Sequence, residues 1–142
     1  MVTAQTVYDM AIHLMDEQDE STGATITTDT GEYRMRTLSI LNSAIPMLYP
    51  YSGNYQTGAA GRPACRQLYV DDYANPDLEQ PIPLDDTLSL SCLPYYLAAH
   101  LLSSENETLA AFFMNQYRVA LNDAKETMPA SFAPITMPYG AF

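Results

Sequence analysis

Tryptophan is absent from this chain, cysteine occurs twice, and lysine and arginine together supply 6 residues against 17 aspartates and glutamates. The shortage of cations excludes a nucleic-acid grip, which needs positive side chains spread over the phosphates. It also disfavours attachment to anionic lipid surfaces. The cysteines, Cys65 and Cys92, lie far apart and form no CxxC, so we read them as reduced thiols rather than a disulfide framework or a zinc set. No apolar run approaches the length of about 18 residues that a membrane span needs. Met1 to Gln5 has no basic region leading into an apolar stretch, so we do not read it as a signal peptide. Charged residues make up only 16% of the chain, below the roughly 25% of an average soluble domain. The formal net charge of −11 keeps such a surface soluble by repulsion.

What is present is apolar. Hydrophobic residues make up 47% of 142 residues, enough for one domain to bury a core without disulfides or metal. Four stretches carry helical spacing. From Thr6 to Gln18, Val7, Met10, Ala11, Leu14 and Met15 fall on one face, with Thr6 and Asp9 spaced as a cap. A small, polar connection follows from Ser21 to Thr30. From Gly31 to Tyr49 the repeat is Met35, Leu38, Leu41, Ile45 and Leu48, with Asp29 and Glu32 as its capping pair. Pro46, which has no N–H to donate, predicts a kink or an early end. From Asp86 to Leu102 the face is Leu93, Leu97, Ala98, Leu101 and Leu102. Pro94 allows the true start to lie near Ser91. From Glu105 to Thr127 a stripe runs through Leu109, Phe112, Phe113, Tyr117, Ala120, Leu121 and Ala124 behind a Ser104–Glu107 capping box. The Ser103-Ser104 link predicts an antiparallel hairpin of these last two helices, with Leu97, Leu101, Phe113 and Tyr117 buried.

Residues 50–84 differ in kind, because glycine and proline interrupt them throughout. Gln67 to Val70 is their best strand candidate. A connection this long predicts an extended arm or hairpin that meets a partner. Tyr51, Tyr55, Tyr69 and Tyr73 are its candidate contact residues, since tyrosine joins a large apolar body to a hydrogen-bonding tip. After Met128, Pro129, Pro134 and Pro138 forbid a helix. Phe132, Ile135, Tyr139 and Phe142 are nonetheless too apolar for a solvated tail. We therefore expect a helical domain over 1–127 and a docking tail over 128–142.

No catalytic set survives inspection. Asp9, His13, Asp16 and Glu17 can share a helix face, yet no second helix offers matching ligands, so they read as a solvated polar face. Cys92 and His100, eight residues apart, would stand about 12 Å apart along one helix, beyond hydrogen-bond reach. Gly58 to Pro63 lacks the lysine and the strand–loop–helix setting of a phosphate loop. We expect no enzyme, no metal and no cofactor.

Several segments nevertheless resemble a known family. They are Val7-Tyr8-Asp9-Met10-Ala11, Leu14-Met15-Asp16-Glu17, Glu32-Tyr33-Arg34 and Ile40-Leu41-Asn42 in the first half. In the second half they are Gln80-Pro81-Ile82-Pro83-Leu84-Asp85-Asp86 and Leu93-Pro94-Tyr95-Tyr96-Leu97-Ala98-Ala99-His100-Leu101-Leu102, with Tyr117 in a late helix. Together they look like the head–tail connector (adaptor) proteins of tailed bacteriophages, over about residues 3–126. The resemblance implies a virion protein made in the bacterial host cytoplasm, a homo-oligomer in a twelve-fold ring beneath the portal protein. It implies a C-terminal segment reaching the portal, where Phe132, Ile135, Tyr139 and Phe142 would lie. It also implies loops meeting a downstream stopper or tail-completion protein, and DNA sliding through the lumen without specific binding. A reading of another class is a small cytoplasmic helical module that binds an unidentified protein. The expected fold is the same for both: mainly α, a small bundle of about four helices with a long loop or hairpin arm and an extended C-terminal tail.

Overall fold

The first helix starts where a threonine can hold its open end. Thr3 is extended and its hydroxyl accepts from the Thr6 N–H, so α1 runs Ala4–Met15, two residues earlier than the spacing predicts. It stops at Asp16, which adopts the left-handed conformation (φ 60°). The Asp16 and Glu17 N–H groups turn back to the carbonyls of His13 and Ile12, closing a Schellman motif. The structure, a computed structural model, describes residues 1–53, 55–61 and 64–126. Over these residues the chain is mainly α-helical.

The buried face of α1 is Ala4, Val7, Tyr8, Ala11, Ile12 and Met15. This is rotated from the expected face, because Met10 and Leu14 turn outward. α1 has more apolar residues than one face can hold, and the core takes the set containing Tyr8 and Ile12. Helix α2 (Gly31–Leu48) buries Leu38, Leu41, Ile45 and Leu48 as its spacing predicts, together with Tyr33, Thr37 and Ala44. Met35 is left outside. Pro46 lies within α2, and the helix ends two residues later by tightening into a 3-10 turn, Tyr49–Tyr51. Asp29 makes no cap here, because Thr30 occupies the N-cap position.

The expected third helix is two helices, α3 (Asp86–Ser91) and α4 (Leu93–Leu101), meeting at Cys92. Pro94 sits in the first turn of α4, where its missing N–H costs nothing. Asp85 caps α3 by accepting from the Leu88 N–H at 2.9 Å. Helix α5 (Glu107–Glu126) is capped by Asn106, whose side chain accepts from the Leu109 N–H at 3.1 Å, in place of the expected Ser104. Helices α4 and α5 pack as an antiparallel hairpin: Tyr95 meets Phe113 and Tyr96 meets Tyr117, at ring-centroid distances of 6.4 and 5.1 Å. Leu97, Leu101, Phe113 and Tyr117 are all buried there.

Among the described residues no β-strand is present, so the segment expected as a loop or hairpin arm over 50–84 is there a long loop and not a hairpin. The reason lies in two side-chain amides. Asn42 on α2 donates to the Leu68 carbonyl at 2.9 Å and accepts from its N–H at 2.7 Å. Gln80 does the same for Tyr69, at 2.7 Å each way. Successive backbone units of an extended chain point to opposite sides. Each amide therefore takes the place a neighbouring strand would hold. Beyond this clamp, residues 78–82 run along the N-terminus. Ala4 donates to the Gln80 carbonyl, Gln5 to Leu78, and Ile82 to Val2, around an isolated antiparallel bridge between Thr3 and Pro81. Leu68, Leu78, Ile82 and Leu84 are buried, so much of this segment is part of the core.

Candidate interaction surfaces

The clamp decides which tyrosines of the segment stay available. Leu68 turns into the core, so its neighbour Tyr69 must face outward and is 71% exposed. Tyr73, on the loop beyond, is 65% exposed. Tyr55 is partly exposed, with its ring 5.4 Å from that of Tyr49. Tyr51 is half-buried beneath Lys125 of α5, whose ammonium lies 4.8 Å from the ring centroid. Of the four candidate contact tyrosines, two are thus presented freely and two are engaged by the chain's own residues. Phe132, Ile135, Tyr139 and Phe142 lie outside the described residues.

The turn of α3 fastens this region to the helices. The second Asp85 carboxylate oxygen accepts from the Gly53 N–H at 3.0 Å, and the Ser52 hydroxyl accepts from the Asp85 N–H at 3.1 Å. One residue thereby caps a helix and holds the chain just past the end of the 3-10 turn. On the N-terminal side, Asp86 accepts from the Val2 N–H at 3.2 Å.

A second surface is acidic. Asp16, Glu17, Gln18, Asp19, Glu20, Ser21 and Asp29 line an open depression at the end of α1. Partial burial pushes the Glu17 carboxyl above its ordinary range, and the nearby charges of Glu105, Asp16 and Asp29 add to this. Asp19 behaves oppositely. Hydrogen bonds from Ser21 and Thr22 hold its carboxyl down at about 2. Glu105 accepts from the Tyr33 hydroxyl and ties the end of the α4–α5 turn to α2. Among the described residues no three His, Cys, Asp or Glu side chains gather as a metal set. Asp9, one of the carboxylates considered for that role, accepts from Gln5 and Thr25 at 2.7 Å each. It tethers the loop after α1.

Cys92 is fully buried, and burial raises its thiol above the ordinary range. His100 stacks on Tyr96 at 4.3 Å, and burial holds its imidazole below the ordinary value, with the Arg36 charge adding to the effect. The Cys92 thiol lies 3.6 Å from the Ser91 hydroxyl.

A third surface was not legible from spacing. Met10, His13 and Leu14 of α1 face Leu90 of α3 and Pro94 and Tyr95 of α4 across a groove of about 310 Å³. Phe112 on α5 is 52% exposed, although the stripe reading places it in the core. The signal was present as an excess of apolar residues on α1 and α5, beyond what one buried face can use. Compared with family models, curated proteins and solved structures, the chain matches none of them.

Proposed function

We propose that the chain is a head–tail connector (adaptor) subunit of a tailed bacteriophage. In this reading it forms a homo-oligomeric, twelve-fold ring between the portal protein and a downstream stopper or tail-completion protein. The observation that supports it is where the residues of the resemblance sit. Val7, Tyr8, Ala11, Tyr33, Leu41, Ile82, Leu84, Leu93, Tyr96, Leu97 and Leu101 are all buried. Asn42 and Asp85, which belong to the same segments, make the clamp and the cap. The shared pattern therefore coincides with what holds this fold together. The charge is in keeping with the role: a ring of subunits of net charge −11 would repel the DNA backbone and let it slide.

The test is to mix the purified chain with portal particles and image them by electron microscopy. We expect an added ring of density beneath the portal. Portal particles that stay bare at saturating chain concentration would end this reading in favour of a small helical binding module. An unrelated set of neighbouring genes, with neither portal nor capsid among them, would do the same.

A further inference from the structure

The groove between α1 and the α3–α4 corner is apolar in a chain where acids outnumber bases 17 to 6. Met10 and Leu14, one helical turn apart on α1, form one wall, and Leu90, Pro94 and Tyr95 form the other. Met10, Leu14 and Leu90 are each at least a third exposed. Apolar side chains gathered around one concave surface mark an interaction site, unlike apolar residues scattered singly. The chemistry of the walls narrows the occupant. A small-molecule site fixes its ligand with several convergent polar groups, and here only His13 and Tyr95 carry one. Walls of methionine and leucine instead suit apolar side chains that a partner inserts.

The charges at the two ends of the groove narrow it further. Asp86, four residues before Leu90 on α3, accepts from the Val2 N–H at 3.2 Å and so stands beside the start of α1. Asp16 and Glu17 follow Leu14 past the other end of α1. All three carboxylates belong to exposed residues, and no lysine or arginine lines the groove between them. An apolar trough with carboxylates at both ends, on a body of net charge −11, is complementary to an apolar segment with cations at both ends. The two ends stand about 18 Å apart, the length of α1, which a partner helix of about 12 residues spans.

We propose that the groove receives a basic amphipathic helix of a partner protein. Its apolar anchors would recur at every third or fourth position, with lysine or arginine at each end. A helix fits better than an extended segment, because side chains of a strand alternate between faces and only half of them could enter. A second copy of the chain is the poorer occupant, since it brings its own excess of acids to carboxylates at both ends. The proposal goes beyond the connector reading and does not rest on it, because a connector subunit and a small helical module would use the groove alike. A basic helix that fails to bind leaves the connector reading intact, and a portal that stays bare leaves this proposal intact.

The experiment titrates the full chain into a fluorescently labelled synthetic peptide of about 16 residues, with leucine at every third or fourth position along one face and two lysines at each end. A second peptide carries glutamate in place of each lysine. The lysine-ended peptide should bind, and the glutamate-ended one should bind at least tenfold more weakly. Leu90→Gln in the groove should weaken the lysine-ended peptide at least tenfold. Val119→Gln, at an exposed position of α5 outside the groove, should leave its affinity unchanged. No binding at millimolar peptide, equal binding of both peptides, a Leu90→Gln variant that binds like the wild type, or an equal loss in the two variants overturns the proposal. Sedimentation velocity on the chain alone covers the other occupant: self-association that Leu90→Gln abolishes would give the groove to a second copy and overturn the proposal as well. Circular dichroism checks that each variant is folded. Should Leu90→Gln unfold the chain, Leu14→Gln on the facing wall takes its place.

Discussion

Asn42 shows how much structure a single amide can carry. It sits on α2 with both functional atoms engaged by the backbone of Leu68. Leu68 in turn is buried and anchors the segment that presents Tyr69 and Tyr73. Asn42→Ala leaves a partly buried N–H and carbonyl with no partner, a loss of about 1–3 kcal/mol. We expect urea unfolding to report a destabilisation in that range, and the Leu68 amide to exchange its hydrogen faster than amides in α4. An unchanged midpoint with unchanged exchange at Leu68 would mean that the clamp contributes nothing. Nothing in the sequence marks Asn42 or Gln80 for these roles. The partner of Asn42 lies 26 residues away, and amides are equally common on wet helix faces.

At the scale of elements, regular spacing was readable where most of the apolar residues in helical register fall on the core face. α2 is such a case: four of its five expected core positions, Leu38, Leu41, Ile45 and Leu48, are buried. α1 misled because Met10 and Leu14 fit the same helical period as the true face and line the groove instead. The division at Cys92 was half legible, since Pro94 demanded a helix start nearby but did not fix what preceded it. The groove was legible only as that excess of apolar residues on α1, because it exists only where three helices meet. Helix ends offer a direct test. Asp16 ends α1 in the left-handed conformation, where an L-residue is strained and glycine is not. Asp16→Gly should therefore raise stability by about 1 kcal/mol, and it also removes one of the charges crowding Glu17. Thermal unfolding checks this, and a lowered melting temperature would show that the Asp16 side chain matters more than its backbone.

For the molecule as a whole, the distribution of charge and of tyrosine sets how it responds to pH. With 17 acids and 6 bases, eleven acids have no cation to pair with one-to-one, so the folded chain works against its own repulsion. Alkaline conditions add to that load through the buried phenols. Tyr8 on α1, Tyr33 on α2 and Tyr117 on α5 all resist ionisation, chiefly because burial penalises the charged form. Tyr117 is pushed up to about 12 from its ordinary value of 10.0. A phenol whose folded pKa is raised binds its proton more tightly in the folded state than in the unfolded one. Its stabilisation is complete below pH 10 and declines as pH rises toward 12, because the unfolded chain can ionise there and the folded chain cannot. Three helices carry such a group, so the loss should be cooperative rather than local. Tyrosine absorbance and helical circular dichroism, followed together through an alkaline titration, should show the last phenols ionising only as helical signal is lost. All phenols titrating in one step with the helices intact would show that the rings of Tyr8, Tyr33 and Tyr117 are open to solvent.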